Sequence, residues 1–339
     1  MSEVISRVAT EVLTVDHVLQ SYPPVGLPWE LPGEPVGAGP HHPTQEVRGV
    51  TGTTARARNG DIELAFERVG PADGEPLLLI MGLGMQMLFW HDDLCAEFTR
   101  AGFSPARFDN RDVGASTHLT HLGAPPLPVV IALPQAVAAY RVSDMAADAV
   151  AVLDALGWES AHIVGVSMGG MIAQTVAIEH PHRVRSLTSV MSTPSPRIGR
   201  PTLGAAAALA ARPGRTAEEA AQRVVDTFRV IGSPGYPLDE DWLRNYARRA
   251  FARSKDSTGT RRQLAAVNAS PSRVAGLRSV RAPTLVVHGE ADPLVGPEAG
   301  RATAAAVPGA RLVTYPGMGH NLPRELWPSI VRQVAGLVG

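Results

Sequence analysis

Cysteine and lysine are almost absent from this sequence of 339 residues, which contains one cysteine, Cys95, and one lysine, Lys255. A single cysteine cannot form an internal disulfide, so nothing here indicates an oxidising compartment. Neither sign of charge predominates, since 31 basic residues are balanced by 32 acidic ones. That balance argues against a surface dedicated to nucleic acid or to an anionic membrane, and we expect neither partner.

Long apolar runs are also lacking, because no stretch reaches the roughly 18 residues that a membrane span needs. A secretory signal needs an unbroken apolar core. In the N-terminal segment, Glu3, Arg7, Glu11 and Asp16 interrupt the apolar positions. We therefore expect a cytoplasmic protein.

Residues 1–50 are interpreted as an N-terminal arm. Val4, Val8 and Val12 fall near one helical face, and residues 21–48 are rich in proline, glycine and histidine without periodicity. The pattern favours a helix packed on its own domain. The alternative is an arm that joins copies of the chain in a homo-oligomer. The two adjacent histidines of this arm have no cluster of cysteine or aspartate beside them, so no metal site is predicted.

From about Asn59, short apolar runs alternate with helical patterns. Strands are predicted at 62–66, 77–81, 105–108, 162–166, 187–191, 284–288 and 311–315. Short buried strands that alternate with helices predict an α/β fold, a mostly parallel central sheet with helices on both faces.

One block interrupts this alternation. Residues 192–278 contain no convincing strand, but helices are predicted from Thr216 and over Asp239 to Arg253. We predict that this block is an inserted helical lid. The predicted organisation is an arm at 1–50, a core formed by 51–191 and 279–339, and a lid at 192–278.

Residues 165–169 read Gly-Val-Ser-Met-Gly, after a predicted strand and before a predicted helix. A nucleophile elbow requires this context, because its sharp turn lifts the serine Oγ above the sheet. The helix that begins at Met168 directs free N–H groups and the positive end of its dipole at the reaction centre. Ser167 is therefore the predicted nucleophile.

A serine hydroxyl needs a base to remove its proton, and the chain order serine, acid, histidine is typical of such sites. His320 follows the last predicted strand in the sequence Gly-Met-Gly-His and is the predicted base. Asp292 follows the strand 284–288 and is predicted to orient the imidazole. Glu290 is the competing carboxylate. Asp292 is favoured because it precedes a proline in the loop, where a short acceptor can be aimed.

Backbone N–H groups must stabilise the oxyanion of the tetrahedral intermediate. Met168 is predicted to supply one of them. Leu83, in the glycine-rich loop after the strand 77–81, is predicted to supply the other. No side-chain chemistry is needed for this role, since the glycines allow the backbone to turn inward.

The substrate pocket is predicted from apolar residues near these loops. Met85 and Trp90 follow the oxyanion loop, although ordinary core packing is an equal alternative for each. The apolar segment 123–140 contains four prolines and cannot be a central strand. We expect it to wall the pocket under the lid, with Val129 and Ile131 as substrate-binding residues.

From about Asn59 to its end, the sequence resembles the α/β-hydrolase superfamily, and within it the actinobacterial serine esterases of the anthracycline methylesterase-like group. Many superfamily members have histidine where this sequence has Met81, but the methylesterase-like group shares an apolar residue there. The resemblance implies the α/β-hydrolase fold, a lid, and ester hydrolysis without a cofactor. The stretches that carry it are 77–82, Trp90, 108–116, 165–170 and 316–320.

The predicted function is hydrolysis of a carboxylic ester with a small to medium, mostly apolar substrate, through an acyl-enzyme on Ser167. The same triad would also serve a thioesterase, a C–C hydrolase acting on a diketone, or a perhydrolase. A ligand-binding protein on the hydrolase scaffold is a further alternative. It is disfavoured because the sequence contains every residue that catalysis needs.

Overall fold

The computed structural model describes residues 54–338. The predicted arm at 1–50 and its candidate role in joining copies of the chain lie outside the described residues. The strands are β1 (Ala55–Asn59), β2 (Ile62–Arg68), β3 (Glu75–Ile80), β4 (Phe103–Phe108), β5 (Ala161–Val166), β6 (Val184–Val190), β7 (Thr284–Gly289) and β8 (Arg311–Tyr315).

The helices join these strands and cover them. They are α1 (Asp92–Arg100), α2 (Leu127–Ala132), α3 (Pro134–Val137), α4 (Val142–Ala155), α5 (Met168–Glu179), α6 (Leu203–Ala210), α7 (Ala217–Ile231), α8 (Glu240–Arg253), α9 (Gly259–Ala269), α10 (Val274–Leu277), α11 (Pro297–Ala306) and α12 (Trp327–Ala335). Among these helices, none combines the length and apolar character that a transbilayer span requires.

The eight strands form one sheet in the order β1-β2-β4-β3-β5-β6-β7-β8. β2 runs antiparallel to both of its neighbours, and the strands from β3 to β8 pair in parallel. Because successive side chains of a strand point to opposite faces, β3 contributes to two separate cores. Leu78 and Ile80 are buried with residues of α4 and α5, whereas Leu77 and Leu79 are buried with residues of α1 and α12. Helices therefore cover both faces, which confirms the predicted α/β class.

The register of the parallel strands determines which loops meet. Ile80 of β3 pairs with Gly165 of β5, so the loop after β3 adjoins the turn after β5. Gly289 of β7 pairs with Tyr315 of β8, so the loops after these two strands also adjoin. All four loops follow carboxyl ends of parallel strands, where open α/β sheets bind their ligands.

Helices α6 to α10 form an insertion between β6 and β7, and within residues 54–338 no strand interrupts it. Its two ends are tied together at Arg273. The Arg273 backbone N–H donates to the Pro194 carbonyl at 2.8 Å, and its guanidinium donates to the Thr193 carbonyl at 2.8 Å and to Gln174 Oε1 at 3.0 Å. Burial lowers the pKa of this guanidinium to about 10. The insertion thus leaves the sheet and returns to it at one point.

Candidate active site

The turn between β5 and α5 places Ser167 in a strained conformation, with φ 57° and ψ −121°. Few residues other than glycine adopt a positive φ. Close backbone approach explains the neighbouring glycines. A Cβ on Gly165 would lie 2.1 Å from the Gly169 carbonyl oxygen, and one on Gly169 would lie 2.1 Å from the Ile80 carbonyl oxygen. The local sequence is therefore what this elbow requires.

His320 and Asp292 form a buried pair. His320 Nδ1 lies 2.7 Å from Asp292 Oδ2. The other carboxylate oxygen, Oδ1, accepts the backbone N–H groups of Leu294 and Val295, each at 2.9 Å. These two donors hold the carboxylate so that Oδ2 is directed at the imidazole. An acceptor opposite Nδ1 favours the tautomer whose proton is on Nδ1, which leaves Nε2 able to accept a proton.

Glu290, the competing carboxylate, has a different role. Its Oε1 accepts the hydroxyl of Thr314 on β8 at 2.8 Å, and the side chain is exposed. The carboxylate that contacts His320 is that of Asp292.

His288, at the end of β7, supports the acid loop and was not among the predicted residues. It is fully buried, and its Nε2 donates to the Val295 carbonyl at 2.8 Å. Burial lowers the pKa of His288, which favours the neutral form of the ring. Its Nε2 also lies 3.8 Å from Asp292 Oδ2. A histidine inside a buried strand ordinarily indicates core packing, so nothing in the sequence marks this contact.

The loop after β3 contains the predicted oxyanion donor Leu83. A turn is closed by a 3.3 Å hydrogen bond from the Met85 N–H to the Gly82 carbonyl. A Cβ on Gly82 would lie 3.1 Å from the Ser167 Cβ, so this turn adjoins the predicted nucleophile. Within residues 54–338, no protein acceptor engages the N–H of Leu83 or of Met168. Both groups are therefore available to an oxyanion.

A cavity of about 340 Å³ opens beside His320. The core supplies part of its wall, and α7, α8 and the residues just before α8 supply the rest. The exposed side carries Arg324, whose guanidinium donates to Asp239 at 3.0 Å and to Asp93 at 3.0 Å. The apolar lining includes Met81, Trp90, Val166, Met191, Phe228, Leu238, Trp242, Leu243 and Trp327.

The predicted pocket residues lie in different places. Trp90 lines the cavity. Met85 packs on the apolar clusters of α7 and α8 without bordering the cavity. Val129 is half-buried and Ile131 is 66% exposed, and neither borders the cavity, because α2 packs against α9. The assignment of Met85, Val129 and Ile131 to substrate binding stays a prediction.

Residues 75–323 match the family model described as alpha/beta hydrolase fold. The chain belongs to the α/β-hydrolase family. The hydrolase is 30% identical over 294 residues to the rhodomycin D methylesterase of Streptomyces peucetius, across 80% of this chain and 93% of the relative. It is 29% identical over 285 residues to the rhodomycin D methylesterase of Streptomyces sp. strain C5, across 78% of this chain and 90% of the relative. The predicted resemblance to actinobacterial α/β-hydrolases is confirmed.

Solved structures agree on the fold of the hydrolase. The esterase RhEst1 from Rhodococcus sp. ECU1013 superimposes with a TM-score of 0.66 at 22% identity, over 84% of this chain and 99% of that one. A hydrolase from Pseudomonas aeruginosa PA01 gives 0.65 at 23% identity, over 85% and 99%.

A triad and an oxyanion hole are typical of the family. In this hydrolase the candidate residues follow strands of one sheet: Leu83 after β3, Ser167 and Met168 after β5, Asp292 after β7 and His320 after β8.

Proposed function

We propose that this hydrolase cleaves carboxylic esters of small to medium, mostly apolar substrates through an acyl-enzyme formed on Ser167. The observation that carries the proposal is the buried hydrogen bond between His320 and Asp292. His320 also borders the cavity, and Ser167 has the strained conformation that a nucleophile elbow requires. The two methylesterase relatives support ester cleavage.

The proposed reaction begins when Ser167 Oγ attacks the ester carbonyl carbon and His320 Nε2 takes the hydroxyl proton. Asp292 stabilises the resulting imidazolium, and the N–H groups of Leu83 and Met168 donate to the oxyanion. The C–O bond to the alcohol then breaks as His320 protonates the leaving oxygen. Water attacks the acyl-enzyme by the same route, which releases the acid and restores the serine.

The cavity supports an apolar substrate group of moderate size. Its volume of about 340 Å³ and its aromatic lining suit burial of such a group. Much of the apolar wall around the substrate group is formed by Trp90 from the core and by Phe228 and Trp242 from the insertion. The insertion would thus act as the predicted lid by closing one side of the pocket.

Labelling with a fluorophosphonate tests the nucleophile. The wild-type chain should be labelled at Ser167, whereas Ser167→Ala should be unlabelled and should lose roughly 10⁴-fold or more in activity. Ser192→Ala is the matched control, because Ser192 is a buried serine just after β6 whose Oγ has no hydrogen-bond partner within the described residues. The Ser192→Ala variant should still be labelled at Ser167. Labelling that survives in Ser167→Ala contradicts the proposal.

A separate panel of substrates tests which type of bond the enzyme cleaves. Ester, thioester and diketone substrates with one common acyl group would be compared by kcat/KM. The proposal requires the ester to be preferred. A preference for the thioester or the diketone would keep Ser167 as nucleophile and would replace ester hydrolysis as the function.

A further inference from the structure

One side chain of the helical insertion holds the turn of the oxyanion loop at Gly84. Gln263 of α9 accepts the Gly84 N–H through Oε1 at 2.8 Å. Its Nε2 donates to the Arg111 carbonyl, also at 2.8 Å. The side chain is fully buried, so water does not replace either partner. A single amide therefore joins the loop after β3 to the loop after β4.

The bond to Gly84 acts on the conformation of the turn. Gly84 is the second central residue of the turn closed by Met85 and Gly82, and its φ is +69°. A positive φ at this position is typical of a type II turn, whose central peptide is flipped relative to that of type I. Gln263 accepts the N–H of that central peptide, so it selects one of the two orientations.

We propose that Gln263 is a positioning residue for the oxyanion hole. By fixing the peptide that follows Leu83, it restricts rotation about the backbone bonds of Leu83 and thereby limits the direction of the Leu83 N–H, which belongs to the preceding peptide. This inference rests on the proposed function, in which that N–H donates to the oxyanion. Gln263 touches neither the substrate nor the reacting atoms and acts through the backbone of the loop.

The rest of the loop has restraints of its own. The Gln86 N–H donates to the Tyr246 hydroxyl of α8 at 3.0 Å, and the Met87 N–H donates to Asp109 Oδ1 at 2.7 Å. Loss of Gln263 would therefore release the turn while the following residues stay fixed. Thr260, also on α9, packs closely against the turn, since a Cβ on Gly84 would lie 2.8 Å from Thr260 Oγ1.

Loss of Gln263 is expected to weaken stabilisation of the transition state more than binding of the substrate. An oxyanion donor stabilises the developing charge more than the neutral ester carbonyl, so a misdirected N–H lowers kcat more than it weakens substrate binding. Deleting a donor outright costs about 10² to 10³ in kcat, and misdirecting one should cost about 10- to 100-fold.

The first test is Gln263→Met, which keeps the size of the side chain and removes both hydrogen bonds. We expect kcat to fall about 10- to 100-fold while KM stays within about threefold. The affinity for an aryl trifluoromethyl ketone, which forms an oxyanion on the enzyme, should fall by the same factor as kcat. A wild-type kcat, or a loss confined to KM, overturns the proposal.

Gln174→Met is the matched control. Gln174 on α5 is also fully buried, and both of its amide atoms are bonded, to Ser189 and to Arg273. It controls for the loss of a buried amide and should keep kcat within about threefold of wild type. An equal fall of kcat in both variants would assign the effect to general destabilisation and refute the inference.

Gln263→Glu gives an independent readout if Gln263→Met does not fold. A protonated carboxyl can accept from Gly84 and donate to the Arg111 carbonyl, but an ionised one cannot donate. An ionised carboxylate also repels the Arg111 carbonyl, which moves its oxygen away from Gly84. The ratio of variant to wild-type kcat should therefore fall as pH rises, and a ratio that does not change with pH refutes the inference. Ser167→Ala is assayed alongside. If it remains active, the proposed function fails; if only the Gln263 variants behave as wild type, the inference alone fails.

Discussion

Replacement of Asp292 by asparagine keeps the shape of the side chain but removes the oxygen that accepts from His320. Oδ1 accepts the N–H groups of Leu294 and Val295, so the asparagine carbonyl must occupy that position. The amide NH₂ then takes the place of Oδ2, 2.7 Å from His320 Nδ1 in the parent. An NH₂ group only donates, which forces Nδ1 to accept and moves the ring proton to Nε2. His320 in that tautomer cannot take a proton from Ser167.

The expected loss follows from this exchange of tautomers. Wrong-tautomer variants of serine triads lose roughly 10⁴-fold in kcat. At about 1.4 kcal/mol per factor of ten, the loss corresponds to about 5.5 kcal/mol in the barrier. The fold should be little affected, because the two backbone donors keep their acceptor. We therefore expect a large fall in kcat with a thermal midpoint within a few degrees of the parent.

Steady-state hydrolysis of a chromogenic ester measures this loss, with Glu290→Gln as the control. Glu290 accepts the Thr314 hydroxyl at the surface, so the substitution of Glu290 by glutamine should lower kcat by no more than about threefold. A larger loss in Glu290→Gln than in Asp292→Asn would move the acid role to Glu290 and refute the reasoning.

Three further predictions concern the cavity, the acid loop and the cysteine. Trp242→Ala removes an aromatic wall of the cavity, so kcat/KM should shift by about tenfold towards bulkier esters, and an unchanged profile would place the substrate elsewhere. Burial lowers the pKa of His288 below its ordinary 6.5, so the unfolded chain binds more protons and stability falls as pH drops below 6.5. Urea titrations should show a shallower fall for His288→Asn, and an equal slope would contradict this. Burial raises the pKa of the Cys95 thiol to about 12, so iodoacetamide should modify it only after unfolding in guanidinium; modification of the folded chain at neutral pH would contradict this.

Strands with continuous apolar character could be predicted from the sequence, but other elements, among them β1 and α9, could not. β1 reads Ala-Arg-Ala-Arg-Asn and buries only Ala57, so its place in the sheet depends on pairing with β2. α9 was missed because its buried positions include Arg262 and Gln263, which hide an amphipathic pattern. Arg262 is buried through its pairing with Asp112, a contact between segments distant in the sequence.

The candidate site shows the same division. The pairing of His320 with Asp292 was predictable because chain order and the ends of buried strands are visible in the sequence. The part of the cavity wall that α7 and α8 form was not predictable, since the faces that these helices present to it depend on how the insertion packs. Phe228 and Trp242 therefore had no signal beyond helical periodicity.

The joining of both ends of the insertion at Arg273 has a consequence for how such enzymes diversify. β6 and β7 are neighbours in the sheet, so the intervening helices form a closed excursion that adds nothing to the strand register. The entropic cost of a closed loop rises only slowly with its length, so helices can be added to this excursion or removed from it at little cost to the sheet. In a chain built this way, the segment between Pro194 and Arg273, which forms one wall of the cavity, can be replaced as a unit. The strands that precede Asp292 and His320 then keep their positions in the sheet.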